Sequence, residues 1–201
     1  MSFLSSGVIS VLIFALPACA GSSLNGVRNF HQVDALVYRG GQPTTAGFQY
    51  LAKIGVKTVV DLRAPGRRSA AERSAVTALG MQYVNVPMIG LTPPTEAQTT
   101  KILGLLEDTT TGPVFVHCKR GSDRTGAVIG AYRINCDHWD NARALREAMS
   151  LGMGFFQLPR QHYIRNFRPG TIMATTDPKS GRGKAPARAV AAAAVPVPAA
   201  H

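Results

Sequence analysis

The regular alternation of short apolar segments with longer helical segments constrains the fold of this chain more than any other feature. Residues 57–63 (KTVVDLR) and 113–117 (PVFVH) are rich in β-branched and apolar side chains, as strands buried on both faces of a parallel sheet are. Further strands are predicted at residues 36–39 and 81–88. Helices are predicted from apolar spacing, alanine content and capping residues at 44–53, 69–79, 95–108, 125–135 and 140–151. This pattern predicts an α/β domain whose central, mostly parallel sheet is flanked by helices.

The first twenty residues have the organisation of a secretory signal peptide. Residues 7–16 (GVISVLIFAL) form an apolar run that is too short to span a bilayer as a helix, and the small residues Ala18 and Ala20 follow it. We therefore expect residues 1–20 to be removed on export, which predicts a periplasmic or secreted protein. A lipoprotein-type cleavage before Cys19 is the other possibility, and lipidation of Cys19 would then anchor the protein to a membrane. A buried N-terminal helix or strand is the alternative, since no Lys or Arg precedes the apolar run.

The other end of the chain also differs from the region before it. Residues 169–201 consist mainly of Ala, Pro, Gly and basic residues, with hardly any large apolar side chain. Such a segment buries too little surface to offset the entropy of ordering it, so we predict a disordered basic tail. Residues 28–168 remain as one domain, which we expect to be a monomer. No membrane span is expected after processing, because no stretch of 18 or more apolar residues occurs.

The charge balance indicates an anionic partner. Lys and Arg number 22 against 11 Asp and Glu, which gives a formal net charge of +11. A phosphorylated substrate, an acidic lipid or a nucleic acid would satisfy this charge. We do not expect nucleic-acid binding, because the sequence shows no recognition motif and no pattern of stacking aromatic residues.

Residues 117–126 (HCKRGSDRTG) join the predicted strand at 113–117 to the predicted helix at 125–135 and carry the chemistry. A loop that enters a helix N-terminus directs successive backbone N–H groups at one point and so binds anions. The same field stabilises a thiolate, which favours Cys118 as a nucleophile at neutral pH. Arg124 is placed to hold two phosphate oxygens bidentately. The remaining loop residues predicted to bind phosphate are Lys119, Arg120, Gly121, Ser122 and Thr125.

This loop resembles that of the protein tyrosine phosphatase superfamily, whose pattern is H-C-x-x-G-x-x-R-[ST]-G. Residues 37–43, 55–63 and 86–88 are also similar to recurrent segments of the small dual-specificity-like bacterial members. The resemblance implies a three-layer phosphatase domain. It also implies a two-step hydrolysis of a phosphomonoester that needs neither metal nor cofactor.

In the reaction implied by the resemblance, Cys118 attacks phosphorus and forms a cysteinyl-phosphate that water then hydrolyses. Arg124 and the loop amides stabilise the equatorial oxygens, so catalysis rests on positioning and electrostatics. His117 is expected to support the loop and to tune Cys118 through a hydrogen bond.

The identity of the general acid stays open in the sequence. Family members usually place an Asp on a separate loop, but the corresponding residues 86–96 contain none. Asp123 is the preferred candidate, because bacterial relatives with a G-x-D-R-T-G loop are thought to use it. Asp61 ends a strand on the same edge of the sheet, although pairing with Arg63 or Arg39 would explain it equally. Glu96 is the third candidate, with helix capping as its ordinary role.

The substrate is also open. A phosphorylated protein is the leading expectation, while the extra cations Lys119 and Arg120 favour an inositol phosphate or phosphoinositide. A catalytically weak phosphate-binding module is the non-enzymatic alternative, because the usual acid loop is missing. Arg39 and Gln42 are candidates to line the pocket, in a Gly-Gly-Gln-Pro segment whose composition is typical of a turn. The pair at residues 155–156 is expected to be buried by packing.

Overall fold

The computed structural model describes residues 23–170. The predicted signal peptide (residues 1–20) and all but the first two residues of the predicted tail lie outside the described residues.

A five-stranded sheet forms the centre of the domain. In chain order the strands are β1 (Ser23–Leu24), β2 (Val27–Arg28), β3 (His31–Gln32), β4 (Val37–Gly41), β5 (Thr58–Asp61), β6 (Gln82–Asn85) and β7 (Val114–Cys118). The sheet order is β3-β4-β7-β5-β6, and the strands are parallel except for β3, which pairs antiparallel with β4. Strands β1 and β2 form a separate antiparallel pair. The predicted mostly parallel sheet is confirmed.

Helices cover both faces of this sheet. They are α1 (Thr45–Lys53), α2 (Arg67–Ala78), α3 (Glu96–Glu107), α4 (Asp123–Asn135), α5 (Asn141–Ser150) and α6 (Leu158–Asn166). Thr44 caps α1 through its hydroxyl, and Thr95 caps α3 in a capping box with Gln98. The predicted helices are therefore present, with α6 as an additional one, and the domain has three layers as expected.

The two apolar layers follow from the alternation of side chains along the strands. In β5, Val59 faces the layer of α1 and α2, while its neighbour Val60 faces the layer of α3 and α4. Each fully buried aliphatic side chain of this kind contributes about 1.5–3 kcal/mol. The core also includes Val27, one residue before the predicted domain start, and Val27 is fully buried.

The central strand β7 positions the site. It ends at Cys118, and α4 begins only five residues later at Asp123, two residues earlier than predicted. The parallel register pairs Cys118 with Gly41 of β4 and His117 with Asp61 of β5. The carboxyl ends of three strands therefore meet around one loop, which is where α/β sheets place their ligands.

Among residues 23–170, no helix is both long enough and apolar enough to cross a membrane.

Candidate active site

The loop between β7 and α4, residues 118–124, packs directly against the end of β4. Gly121 has a φ of +77°, and a Cβ on it would lie 2.4 Å from the carbonyl carbon of Gly40. A Cβ on Gly41 would in turn lie 3.1 Å from the carbonyl carbon of Arg120. The expectation of a turn at Gly40 and Gly41 is therefore wrong, because both residues lie in β4. Their small size instead lets the loop approach the sheet.

Two side chains from the start of the domain hold the carbonyl oxygen of Gly121. Arg39 Nη2 donates to it at 2.9 Å and Asn29 Nδ2 donates at 3.1 Å. Asn29 Nδ2 also donates to the carbonyl of Leu151, so it ties the loop to the end of α5. With its carbonyl bound on the protein side, the peptide of Gly121 is fixed in one orientation.

Arg39 is a buried cation beneath the loop, where the sequence had made it a candidate for the pocket lining. Only 1% of the residue is exposed, and Nε and Nη1 have no hydrogen-bond partner among the described residues. Burial lowers the pKa of Arg39 to about 10, against the opposing influence of Glu147 and Cys118. The side chain stays protonated at neutral pH and adds positive charge near the sulfur.

Cys118 lies at the base of the loop and is 2% exposed. Burial by itself raises the pKa of the thiol, but hydrogen bonding from the Thr125 side chain and backbone, the charge of Arg124 and the N–H of Arg120 outweigh it. The pKa of Cys118 is consequently lowered from its ordinary value. The Thr125 hydroxyl is buried and has no hydrogen-bond partner of standard geometry, but it lies close enough to the sulfur to stabilise a thiolate. The predicted nucleophile therefore sits in an environment that favours its reactive form.

The predicted phosphate-binding residues surround the same point. Arg124 is the second residue of α4, and its Nη1 donates to the carbonyl of Leu62 at 3.3 Å, which leaves other N–H groups of the guanidinium for an anion. Ser122 is the N-cap residue of α4, and its side chain makes no capping bond. Lys119 and the end of Arg120 are exposed at the mouth. The structure thus brings all of the loop residues named from the sequence to one helix N-terminus.

His117 and Asp61 belong to a buried network beneath the site. The rings of His117 and Phe115 are stacked with their centroids 5.5 Å apart, and His117 Nδ1 lies 3.3 Å from the carbonyl oxygen of Cys118. His117 Nε2 is 2.6 Å from Oε1 of Glu72, although the two groups are not aligned as a hydrogen bond. His117 therefore lies behind the loop and contacts it through the carbonyl of Cys118.

Asp61 is fully buried, and both of its carboxylate oxygens are bound. Arg63 donates to Oδ1 at 2.8 Å and to Oδ2 at 2.7 Å, and the Tyr83 hydroxyl donates to Oδ2 at 2.8 Å. Burial alone raises the pKa of Asp61, but the bonds from Arg63 and Tyr83 and the proximity of His117 bring it below its usual value. The structure therefore places Asp61 in a structural ion pair, which is the non-catalytic role weighed from the sequence.

Three potential metal ligands occur in this network. One ligand atom each of Asp61, Glu72 and His117 lie within 4.8 Å of one another. Arg63 is paired with both carboxylates, so its guanidinium already supplies the positive charge that a metal ion would bring. The charges of Asp61 and Glu72 are therefore balanced without a metal ion.

Asp123 and Glu96 differ in their relation to the loop. Asp123 begins α4, is 9% exposed, pairs with Arg120 through Oδ2 and accepts the N–H of Gly154 through Oδ1 at 3.0 Å. Glu96 is exposed in the first turn of α3, where Gln98 rather than Glu96 completes the capping box. Of these two carboxylates, Asp123 is the one that belongs to the catalytic loop.

Two exposed apolar segments were not anticipated. The expectation that residues 155–156 are packed is wrong, because Phe155 is 81% and Phe156 is 51% exposed. Residues 86–96, which correspond to the usual acid loop, expose the side chain of Ile89. The carbonyl of Gly90 in this segment accepts a hydrogen bond from the buried Arg160 at 2.8 Å. These contacts join residues far apart in the chain, so no local pattern reveals them.

The fold and this loop define a phosphatase domain of the protein tyrosine phosphatase type. A family model described as "DSP-PTPase phosphatase fused to NAD+ Kinase" matches residues 20–166. The chain therefore belongs to this family, within the protein tyrosine phosphatase superfamily.

Named relatives agree with this assignment. The dual specificity protein phosphatase TpbA of Pseudomonas aeruginosa is 28% identical over 127 residues, covering 63% of this chain and 56% of TpbA. Its crystal structure superposes with a TM-score of 0.61 at 26% identity, covering 74% of this chain and 90% of that one. OCA1 of Mycosarcoma maydis is 31% identical over 123 residues, which covers 59% of this chain and 77% of OCA1. Inositol diphosphatase DSP4 of Arabidopsis thaliana is 28% identical over 117 residues, covering 52% and 54% of the two chains.

The matches span limited parts of several relatives. The chain covers about half of TpbA and 11% of the probable chloroplastic NAD kinase 2 of Oryza sativa, with which it shares 28% identity over 106 residues.

Proposed function

We propose that this protein hydrolyses phosphomonoesters through a cysteinyl-phosphate intermediate on Cys118. The observation that carries the proposal is a buried thiol with a lowered pKa at the base of a loop that presents Arg124 and a helix N-terminus. A thiolate and an anion-binding loop at one point are what an in-line attack on a phosphate group requires. The named phosphatase relatives support the same reaction class.

The first step forms a bond between Cys118 Sγ and phosphorus while the ester P–O bond breaks. The leaving oxygen takes a proton, and the negative charge on the equatorial oxygens is met by Arg124 and the loop amides. In the second step water attacks phosphorus, the S–P bond breaks, and inorganic phosphate leaves as the thiolate is restored.

We assign the leaving-group proton to Asp123. Asp61 is fully buried and bound by Arg63 and Tyr83, so it has no path to a substrate oxygen. Asp123 adjoins Arg124, and its partner Arg120 has a side chain that is 49% exposed. Only the Arg120 end of this ion pair is open to solvent, because the Asp123 side chain is 13% exposed. A phosphate that binds Arg120 would therefore release Oδ2 of Asp123, while Oδ1 stays bound to the N–H of Gly154.

Analogy with the dual specificity phosphatase TpbA points to a phosphorylated protein as the first substrate candidate. An inositol phosphate or phosphoinositide is the second candidate, because Lys119 and Arg120 add cations at the mouth and an inositol diphosphatase is among the relatives.

Replacement of the nucleophile tests the proposal. Cys118→Ser should abolish hydrolysis of an aryl phosphate such as p-nitrophenyl phosphate while leaving phosphate binding and the melting temperature near those of the parent. Cys136→Ser is the matched control, since Cys136 follows α4 at its far end and should leave activity unchanged. Residual activity above a few per cent in Cys118→Ser would refute the covalent mechanism. Binding of phosphate without any hydrolysis by the parent chain would instead identify a phosphate-binding module.

A further inference from the structure

A basic cleft adjoins the catalytic loop. Its volume is about 380 Å³, near the lower end of the roughly 300–1,000 Å³ typical of ligand pockets. The cleft lies between the loop and the start of α2. It is lined by Gln42, Arg63, Ala64, Gly66, Arg67, Arg68, Ser69, Lys119 and Arg124.

The charge of this cleft is one-sided. Arg63 is neutralised by Asp61 and Glu72, but the lining contains no acidic residue for the other cations. Arg67, Arg68, Lys119 and Arg124 make no ion pair within the described part of the chain. Four cations around one cleft repel one another, so an anion bound between them would be stabilised.

The position of two of these arginines strengthens the argument. Arg67 and Arg68 are the first two residues of α2, and the first turn of that helix contains no acidic residue. Cations at a helix N-terminus are disfavoured by the helix dipole and by the free N–H groups there. A bound anion reverses this effect, because it meets the dipole, the N–H groups and both guanidinium groups together.

The cleft shares Lys119 and Arg124 with the catalytic loop. A ligand in the cleft would therefore lie next to a phosphate group bound above Cys118, and one molecule could occupy both places. From this geometry we infer that the cleft is a subsite for a second phosphate group of the same substrate. The inference rests on the proposed hydrolysis at Cys118 and chooses between its two substrate candidates. The cleft favours the second of them, a small polyol that carries at least two phosphates, either free or as a lipid headgroup. One phosphate occupies the catalytic loop while Arg67 and Arg68 hold the other.

The test compares substrates with one and with several phosphates. Parent chain and an Arg67→Gln/Arg68→Gln variant are assayed on p-nitrophenyl phosphate, on a singly phosphorylated tyrosine peptide and on inositol hexakisphosphate. Arg146→Gln/Arg165→Gln is the control, since it removes the same charge from exposed positions on α5 and α6.

We expect the cleft variant to lower kcat/KM for inositol hexakisphosphate relative to p-nitrophenyl phosphate by about 10–100-fold, mainly through KM. This range corresponds to about tenfold for each charge-assisted contact removed. The control variant should leave the ratio unchanged. An unchanged ratio in the cleft variant, an equal loss in the control, or an equal loss on the singly phosphorylated peptide would overturn the inference.

A binding measurement separates this inference from the proposed catalysis. In a Cys118→Ser background, calorimetry should show that the cleft substitutions weaken inositol hexakisphosphate about 10–100-fold more than inorganic phosphate. That result would uphold the subsite even if the parent chain hydrolyses nothing. Equal weakening of the two ligands would refute the subsite even if hydrolysis is confirmed.

A further arm uses phosphatidylcholine vesicles containing phosphatidylinositol bisphosphate. A loss of binding on vesicles assigns the lipid headgroup as a source of the second phosphate, and a loss confined to the soluble ligand assigns the free form. A loss on neither contradicts the inference.

Discussion

Replacement of Gly121 by alanine should damage both stability and catalysis, because two separate costs fall on the same residue. Gly121 has a φ of +77°, which costs an L-residue about 1–2 kcal/mol. The new Cβ would also lie 2.4 Å from the carbonyl carbon of Gly40 and 2.5 Å from the backbone nitrogen of Gly41. These are backbone atoms of a paired strand that cannot rotate away, so overpacking adds about 1–3 kcal/mol.

Gly80 supplies the matched control. It has a nearly equal φ of +73°, but a Cβ built on it meets nothing within 4 Å. Gly80→Ala should therefore lower the free energy of unfolding by about 1–2 kcal/mol, and Gly121→Ala by roughly 2–5 kcal/mol. Urea unfolding of the two variants and the parent measures the difference.

Catalysis provides the second readout of the same pair. Displacement of the loop by about 1 Å is enough to lower kcat/KM around a hundredfold, so Gly121→Ala should be strongly impaired on p-nitrophenyl phosphate while Gly80→Ala is not. Equal losses of unfolding free energy in the two variants, or full activity in Gly121→Ala, would refute the argument from the close approach of loop and strand.

Four further outcomes are expected. Thr125→Val removes the hydroxyl that stabilises the Cys118 thiolate, so the pKa of Cys118 should rise and the pH profile of its alkylation by iodoacetamide should shift to higher pH. Thr125→Ser should restore the profile, and an unshifted profile in Thr125→Val would contradict the role of Thr125. Asp123→Asn should slow an alkyl phosphate by ~10²–10⁴-fold and p-nitrophenyl phosphate far less, because only the poor leaving group needs a proton; equal losses on both would show that Asp123 only braces the loop. Asp61→Asn should lower the free energy of unfolding by about 1.5–3 kcal/mol, because Arg63 keeps Glu72 as a partner but loses its charge-assisted bonds to Asp61. Since the pKa of Asp61 is lowered on folding, its stabilising effect is present above about pH 4 and is lost as the pH falls below that; a stability that does not change with pH in acid would contradict this role. Export predicts a mature protein that begins near residue 21 or at a lipidated Cys19, and mass spectrometry that finds an intact Met1 in the cytoplasm would reject it.

The catalytic loop could be predicted because its determinants are local. One short segment contains Cys118, Arg124 and the strand and helix that flank them. The starts of α1 and α3 are also predictable locally, because Thr44 and Thr95 are typical N-cap residues. The parallel sheet followed from β-branched runs such as residues 57–63, whose character reflects burial on both faces.

The contacts that hold the loop in place could not be predicted, because they join distant parts of the chain. Arg39 and Asn29 reach Gly121 across 82 and 92 positions of sequence. The sequence makes Arg39 a candidate to line the pocket. Its burial beneath the loop is not predictable, because no residue near it in sequence indicates that the loop covers it. The exposure of Phe155 likewise depends on tertiary packing, whereas its aromatic side chain alone predicts burial.

The choice of Asp123 as the proposed acid also rests on contacts between distant parts of the chain. The sequence predicts that Asp61 and Asp123 both lie at the carboxyl edge of the sheet. The bonds of Asp61 to Arg63 and Tyr83 are what distinguish the two carboxylates as candidate acids. Tyr83 lies on β6, and its hydroxyl reaches Asp61 only because β5 and β6 pair in parallel register.

Chemical trapping of the phosphorylated enzyme shows directly whether Cys118 forms a covalent intermediate. The parent chain is mixed with p-nitrophenyl phosphate, quenched in acid within the first turnover, digested and analysed by mass spectrometry. We expect a peptide that carries one phosphoryl group on Cys118. The Cys118→Ser variant should give neither this peptide nor any turnover. A phosphoryl group on another residue, or undiminished turnover in Cys118→Ser, would contradict a covalent intermediate on Cys118.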